Sequence, residues 1–121
     1  MASILSRFSR RFRTRDPARD AATDTARLMT VRTSINGAIA DATRERDGLK
    51  RRVDDYYTQA AFLLDDAPDY AERSSEEEQE IAGAERSAAA AQRRIEAIDR
   101  QIGQLSALLR LLDTQTAAEA A

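Results

Sequence analysis

The chain has 121 residues, with 19 Lys+Arg against 21 Asp+Glu for a formal net charge of -2, and it contains no Cys, no His and no Trp. Without Cys or His there is no zinc finger, no disulfide scaffold, no His-ligated metal and no nucleophile activated by His, so no catalytic residue, metal site or cofactor is expected. With 24 Ala, three Tyr, three Phe and 33% charged residues, the composition suits long helices and coiled coils better than a wide globular core.

Residues 1–15, MASILSRFSRRFRTR, hold five Arg and no acid. Ile4 or Leu5, Phe8 and Phe12 recur at three to four residues, while Arg7, Arg10, Arg11 and Arg13 fill the remaining positions. Coiled into a helix, this segment is basic and amphipathic, and such helices lie in the headgroup region of anionic membranes or dock in acidic grooves. The competing readings are a basic tail, a short helix packed on the rest of the chain, and an organellar presequence. Arg interleaved with Phe also suits nucleic acid, but the rest of the chain is neutral or acidic, which disfavours that partner. There is no apolar core of a secretory signal, and no stretch reaches the roughly 18 to 20 apolar residues of a transmembrane helix.

The first long helix is expected from about 17 to about 64. Asp16 supplies an N-cap and Pro17 suits the first helical position. Leu28, Ile35, Ala42, Leu49, Tyr56 and Leu63 recur every seven residues, and Arg32, Ile39, Arg46, Val53 and Ala60 follow four residues after the first five of them. Arg32 and Arg46 can lay their methylene stems along this seam and keep the guanidinium at its edge.

An acidic turn follows over about 65–75, where Pro68 lacks an amide hydrogen and biases Ala67 away from helix. Asp65, Asp66, Asp69, Glu76, Glu77 and Glu78 belong to this acidic tip; residues 65–80 carry eight acids and one Arg. Calcium loops need oxygen ligands at set spacings around a Gly, and there is no Gly between Lys50 and Ala82. The acids therefore read as a solvated loop, with those after Ser75 complementing the positive end of the next helix. Docking on a basic partner is the other reading. Adjacent acids such as Asp54 and Asp55 point about 100° apart on a helix and do not converge on a substrate.

The second helix is expected from about 76 to about 114, with Ser75 and Glu78 forming a capping box. Ile81, Ala84, Ala88, Ala91, Ile95, Ile98, Ile102, Leu105, Leu109 and Leu112 alternate steps of three and four without a break. That is a heptad repeat, and strands would need a period of two. Residues 115–121 lack large apolar side chains and are expected to fray.

Two such helices bury their stripes by folding back on each other. The expected fold class is therefore all-α: an antiparallel two-helix coiled-coil hairpin over 16–118, with the basic amphipathic segment 1–15 before it. Matching large to small side chains sets Leu49, Val53 and Tyr56 opposite Ala91, Ala88 and Ala84, with Leu28 facing Leu112. At 1.5 Å per residue each arm is roughly 60 Å long, so a +5 block and a -7 block would lie at opposite ends. Met29, Val31, Tyr57, Phe62, Leu64, Leu108 and Leu111 are large apolar residues off the seam and are the candidate interface. They suit pairing into a helical bundle with a second copy, or docking of another protein.

The expected function is that of a non-enzymatic adaptor or scaffold that mediates protein–protein interaction. Its basic N-terminus would tether it to an anionic membrane surface or an acidic partner, so the expected location is cytoplasmic, peripheral at the inner face of a membrane. In overall plan, a small hairpin of two long Ala/Arg/Glu-rich helices, the chain also resembles the stalk and chaperone proteins of flagellar and related export ATPases. The resemblance lies in architecture alone and carries no residue across. It implies, as the alternative, a chaperone or stalk in a bacterial flagellar or type III-like export machine.

Overall fold

The computed structural model describes residues 15–66 and 74–120. Among these only Arg15, Asp16 and Ser74 lie outside helices. Helix α1 runs over Pro17–Asp66 and helix α2 over Ser75–Ala120, and the fold is an all-α helical hairpin. Contacts group into two compact units, residues 1–34 and 35–121, with the boundary inside α1.

In the first unit α1 begins where Asp16 caps it. The Ala18 amide donates to Asp16 Oδ1 at 3.0 Å and the Asp20 amide to the Asp16 carbonyl at 3.0 Å. Pro17 loses nothing at a position whose amide has no partner in the helix. Four hydroxyls then turn back along the helix: Thr23, Thr30, Thr33 and Ser34 each donate to the carbonyl four residues earlier, at 2.9–3.1 Å. This local bonding satisfies the hydroxyls within the helix without adding to its stability. Leu28 and Arg32 are half-buried and no described residue of this unit is fully buried.

The second unit contains the rest of α1 and all of α2. Its buried residues are Ala42, Val53 and Ala60 on α1, and Ile81, Ala84, Ala88, Ala91, Ile95 and Ile98 on α2. Every one of them falls on the three–four stripe of its helix. Val53, Ala91 and Ile95 form one cluster, with Leu49 packed on it. The size-matched register sets Val53 opposite Ala88, whereas the cluster joins Val53 to Ala91 and Ile95. Burial weakens outside this zone: Ile35 and Ile39 on α1, and Ile102, Leu105, Leu109 and Leu112 on α2, are only half-buried.

The start of α2 differs by one residue from the expected capping box. Ser74, not Ser75, is the cap: its Oγ accepts from the Glu77 amide and its carbonyl from the Glu78 amide, both at 3.1 Å. With two serines in a row, the one outside the helical backbone takes the role, and Ser75 is already helical. At the far end α2 is helical to Ala120. Thr114 and Thr116 donate to the Arg110 and Leu112 carbonyls at 2.9 Å, and the residues beyond are mostly Ala, the strongest helix former.

Candidate functional site

Ion pairs that join α1 to α2 at the polar edge of the hairpin include Arg46 with Asp99 and Arg94 with Glu45. Arg46 sits on the α1 stripe, its side chain about one-quarter exposed, and Nη1 reaches Asp99 Oδ1 at 3.1 Å. Nε reaches Asp47 Oδ1 at 3.4 Å. The hydrogen bond to Asp99, above all, raises the guanidinium above its already high ordinary value. Any stability from this shift is present below the ordinary Arg value and is lost only above the raised one, so the pair holds its cation through the ordinary pH range. Beside it, Arg94 forks onto Glu45, with Nη2 at 3.3 and 3.1 Å from the two carboxylate oxygens and Nε at 3.4 Å from Oε1. Exposed pairs of this kind add little stability, but they discriminate between pairings because a slipped register would separate them.

The candidate interface residues stand in solvent. On the second unit, relative exposures reach 57% for Tyr57, 69% for Phe62 and 67% for Leu111; Leu108 and Leu64 are also exposed. Tyr57 and Leu64, seven residues apart, share one face of α1, and Phe62 points to nearly the opposite side. Leu108 and Leu111, three apart, share one face of α2. In the first unit Met29 and Val31 are exposed and, two residues apart, do not share a face.

The acidic tip is divided by the helix termini. Glu76, Glu77 and Glu78 occupy the first turn of α2, where the helix dipole favours carboxylates, and Glu77 and Glu78 are half-buried there. Asp65 and Asp66 occupy the last turn of α1, which has no basic residue, at the end where the dipole opposes them. Asp69 lies outside the described residues. So do Ile4, Leu5, Arg7, Phe8, Arg10, Arg11, Phe12 and Arg13, and with them the basic anchor.

Among the described residues no three His, Cys, Asp or Glu gather into a metal-binding group, and no helix is long and apolar enough to cross a membrane. A concavity of about 480 Å³ runs along the first turns of α1, past Arg15, Arg19, Asp20, Asp24 and Arg27. Its charges neutralise one another locally, Arg15 with Asp20 at 3.2 Å and Arg27 with Asp24 at 3.6 Å. It is the charged face of one helix, without the apolar lining and convergent polar groups of a small-molecule site. No family model, curated protein or solved structure matches the chain. The reading of the site therefore rests on its own physical chemistry.

Proposed function

We propose that this chain is a non-enzymatic adaptor or scaffold, an antiparallel coiled-coil hairpin that offers apolar helix faces to another protein or to a second copy. One observation carries the reading: the chain places its bulk outward. Among the described residues, five of the nine buried ones are Ala, while Tyr57, Phe62, Leu108 and Leu111 are more than half exposed. A chain of 33% charged residues has ample polar alternatives for such positions, and large exposed apolar groups beyond a packed stripe are suited to helix docking.

Support for the antiparallel coiled coil comes from the order of the contacts. Arg46 meets Asp99, whereas Val53, later on α1, clusters with Ala91, earlier on α2. Glu45 and Arg94 flank the stripe on the same relative position of each helix, as antiparallel pairing requires. Because the chain has no Cys, Glu45→Cys with Arg94→Cys is expected to give an intrachain product with a short bismaleimide. Glu45→Cys with Glu80→Cys is expected to give none, and the reverse outcome would displace the register.

In this reading the basic segment 1–15 is the tether, to an anionic membrane surface at its cytoplasmic face or to an acidic partner. Removing residues 1–15 leaves the Asp16 cap of α1 in place. The full chain is expected to float with phosphatidylserine-containing liposomes and the shortened chain to stay behind; equal recovery would remove the membrane tether.

A further inference from the structure

We propose that the chain forms a two-fold symmetric dimer through a second, charge-free stripe on α2 centred on Leu108 and Leu111. The packed stripe of α2 passes through Ile98, Ile102, Leu105, Leu109 and Leu112. One residue back from it lie Ala97, Gln101, Gln104, Leu108, Leu111 and Gln115, at alternating steps of four and three. These positions share a line along the helix. All but half-buried Ala97 are exposed, with Leu108 at 52% and Leu111 at 67%. None is charged, although a third of the chain is. Of the charges in this half of α2, Asp99, Arg110 and Asp113 lie on other lines, and Arg100, three residues after Ala97 and four before Gln104, stands at the edge of the stripe. Charge is thus kept off one face for about 27 Å.

A solvated face has no use for that exclusion, whereas a helix–helix contact does, since like or unpaired charges inside it would be costly. Within the hairpin formed by the described residues the stripe is exposed. A membrane is the poorer fit, because three of the six residues on the stripe are glutamines. A second copy fits because the stripe is self-complementary end for end. Turned about the point between Leu108 and Leu111, Leu108 meets the second copy's Leu111 and the reverse, and Gln104 meets the second copy's Gln115, amide to amide. That reciprocity is what a two-fold contact demands.

The same symmetry selects antiparallel over parallel pairing of the two α2 helices. An end-for-end two-fold keeps the packed stripes of both copies on one side of the contact. Half-buried Leu105 and Leu112 of the two chains then turn toward a common groove and lose their remaining exposure to water. A parallel two-fold would send them to opposite sides. Antiparallel pairing also opposes the two helix dipoles favourably.

This inference rests on the adaptor reading and names the protein that is bound. Sedimentation equilibrium of the full chain at tens of micromolar is expected to give twice the 13.4 kDa chain mass. Leu108→Glu with Leu111→Glu is expected to halve that mass with helicity unchanged, while Tyr57→Glu with Phe62→Glu leaves it doubled. Oxidation of a Gln104→Cys, Gln115→Cys variant is expected to yield a covalent dimer, and Gln104→Cys alone none. A monomeric wild type, a dimer that survives both Glu substitutions, or a covalent dimer from Gln104→Cys alone would overturn the proposal. If the wild type is monomeric but the intrachain link between positions 45 and 94 forms, the hairpin adaptor stands and only the dimer fails. If that link is absent, it is the hairpin reading that fails.

Discussion

Replacing Ile98 with alanine is expected to lower the free energy of unfolding by about 2–5 kcal/mol, the cost of deleting a large aliphatic side chain from a packed interior. Ile98 is the largest side chain that is fully enclosed, at 0% exposure, among the described residues. The loss has two parts: the apolar surface no longer buried, and the hole left behind. The hole is hard to close, because Ile95, at 4% exposure one turn away, holds the helices apart at its own width. With nine buried residues among those described, the hairpin has little reserve, so the change should be visible as a large drop in the urea midpoint followed by far-ultraviolet circular dichroism. Ile98→Val removes one methylene and is expected to cost about 0.5–1.5 kcal/mol. The chain concentration must be equal across variants, since self-association would shift every midpoint. If Ile98→Ala costs no more than Ile98→Val, the seam is loosely packed there, and the enclosure of Ile98 would not reflect a close fit.

The stripes that bury were legible in the sequence because their signal is redundant. On α2 the alternation of three and four runs from Ile81 to Leu112, and no strand or loop produces it. The start of α1 is legible in the same way, at Asp16-Pro17, where Asp16 caps the helix. Register was less legible for a physical reason. Ala84, Ala88 and Ala91 are nearly interchangeable partners for Val53 or Leu49, so size matching discriminates weakly among neighbouring offsets. The cluster of Val53 with Ala91 and Ile95, and the Arg46–Asp99 pair, supply what the alanines do not. Capping has the same character. Ser74 and Ser75 have identical chemistry, and only the backbone distinguishes them. The uncharged line from Ala97 to Gln115 is hidden for a different reason: half of it is Gln, which carries no hydrophobic signal. It becomes visible only when absence of charge, rather than presence of apolar groups, is followed along a helix whose exposed face is known. Asp65 and Asp66 at the unfavourable end of α1 are the clearest local conflict in the fold.

Enlarging Ala88 to leucine is expected to destabilise the hairpin by about 1–3 kcal/mol, even though leucine is the more hydrophobic residue. Ala88 is at 0% exposure, and its stripe neighbours Ala84 and Ala91 are also buried. Three small residues in succession on a stripe favour close approach of the facing helix. A leucine at the middle position adds three carbons where no space is left. Either its rotamer is strained or the helices move apart, and moving apart strips Ala84 and Ala91 of the contacts that make their burial favourable. Ala90→Leu is the control, two residues on and exposed, with the same change in side chain and helix propensity; it is expected to stay within about 0.5 kcal/mol of wild type. Thermal unfolding of the two variants at one concentration separates the outcomes. A stabilised Ala88→Leu would mean that the seam holds a void and that alanine is there for lack of selection rather than for fit. A destabilised one would mean that close approach is required. In that case alanine stands on the seam for fit, and its small size is what keeps Ala84, Ala88 and Ala91 buried.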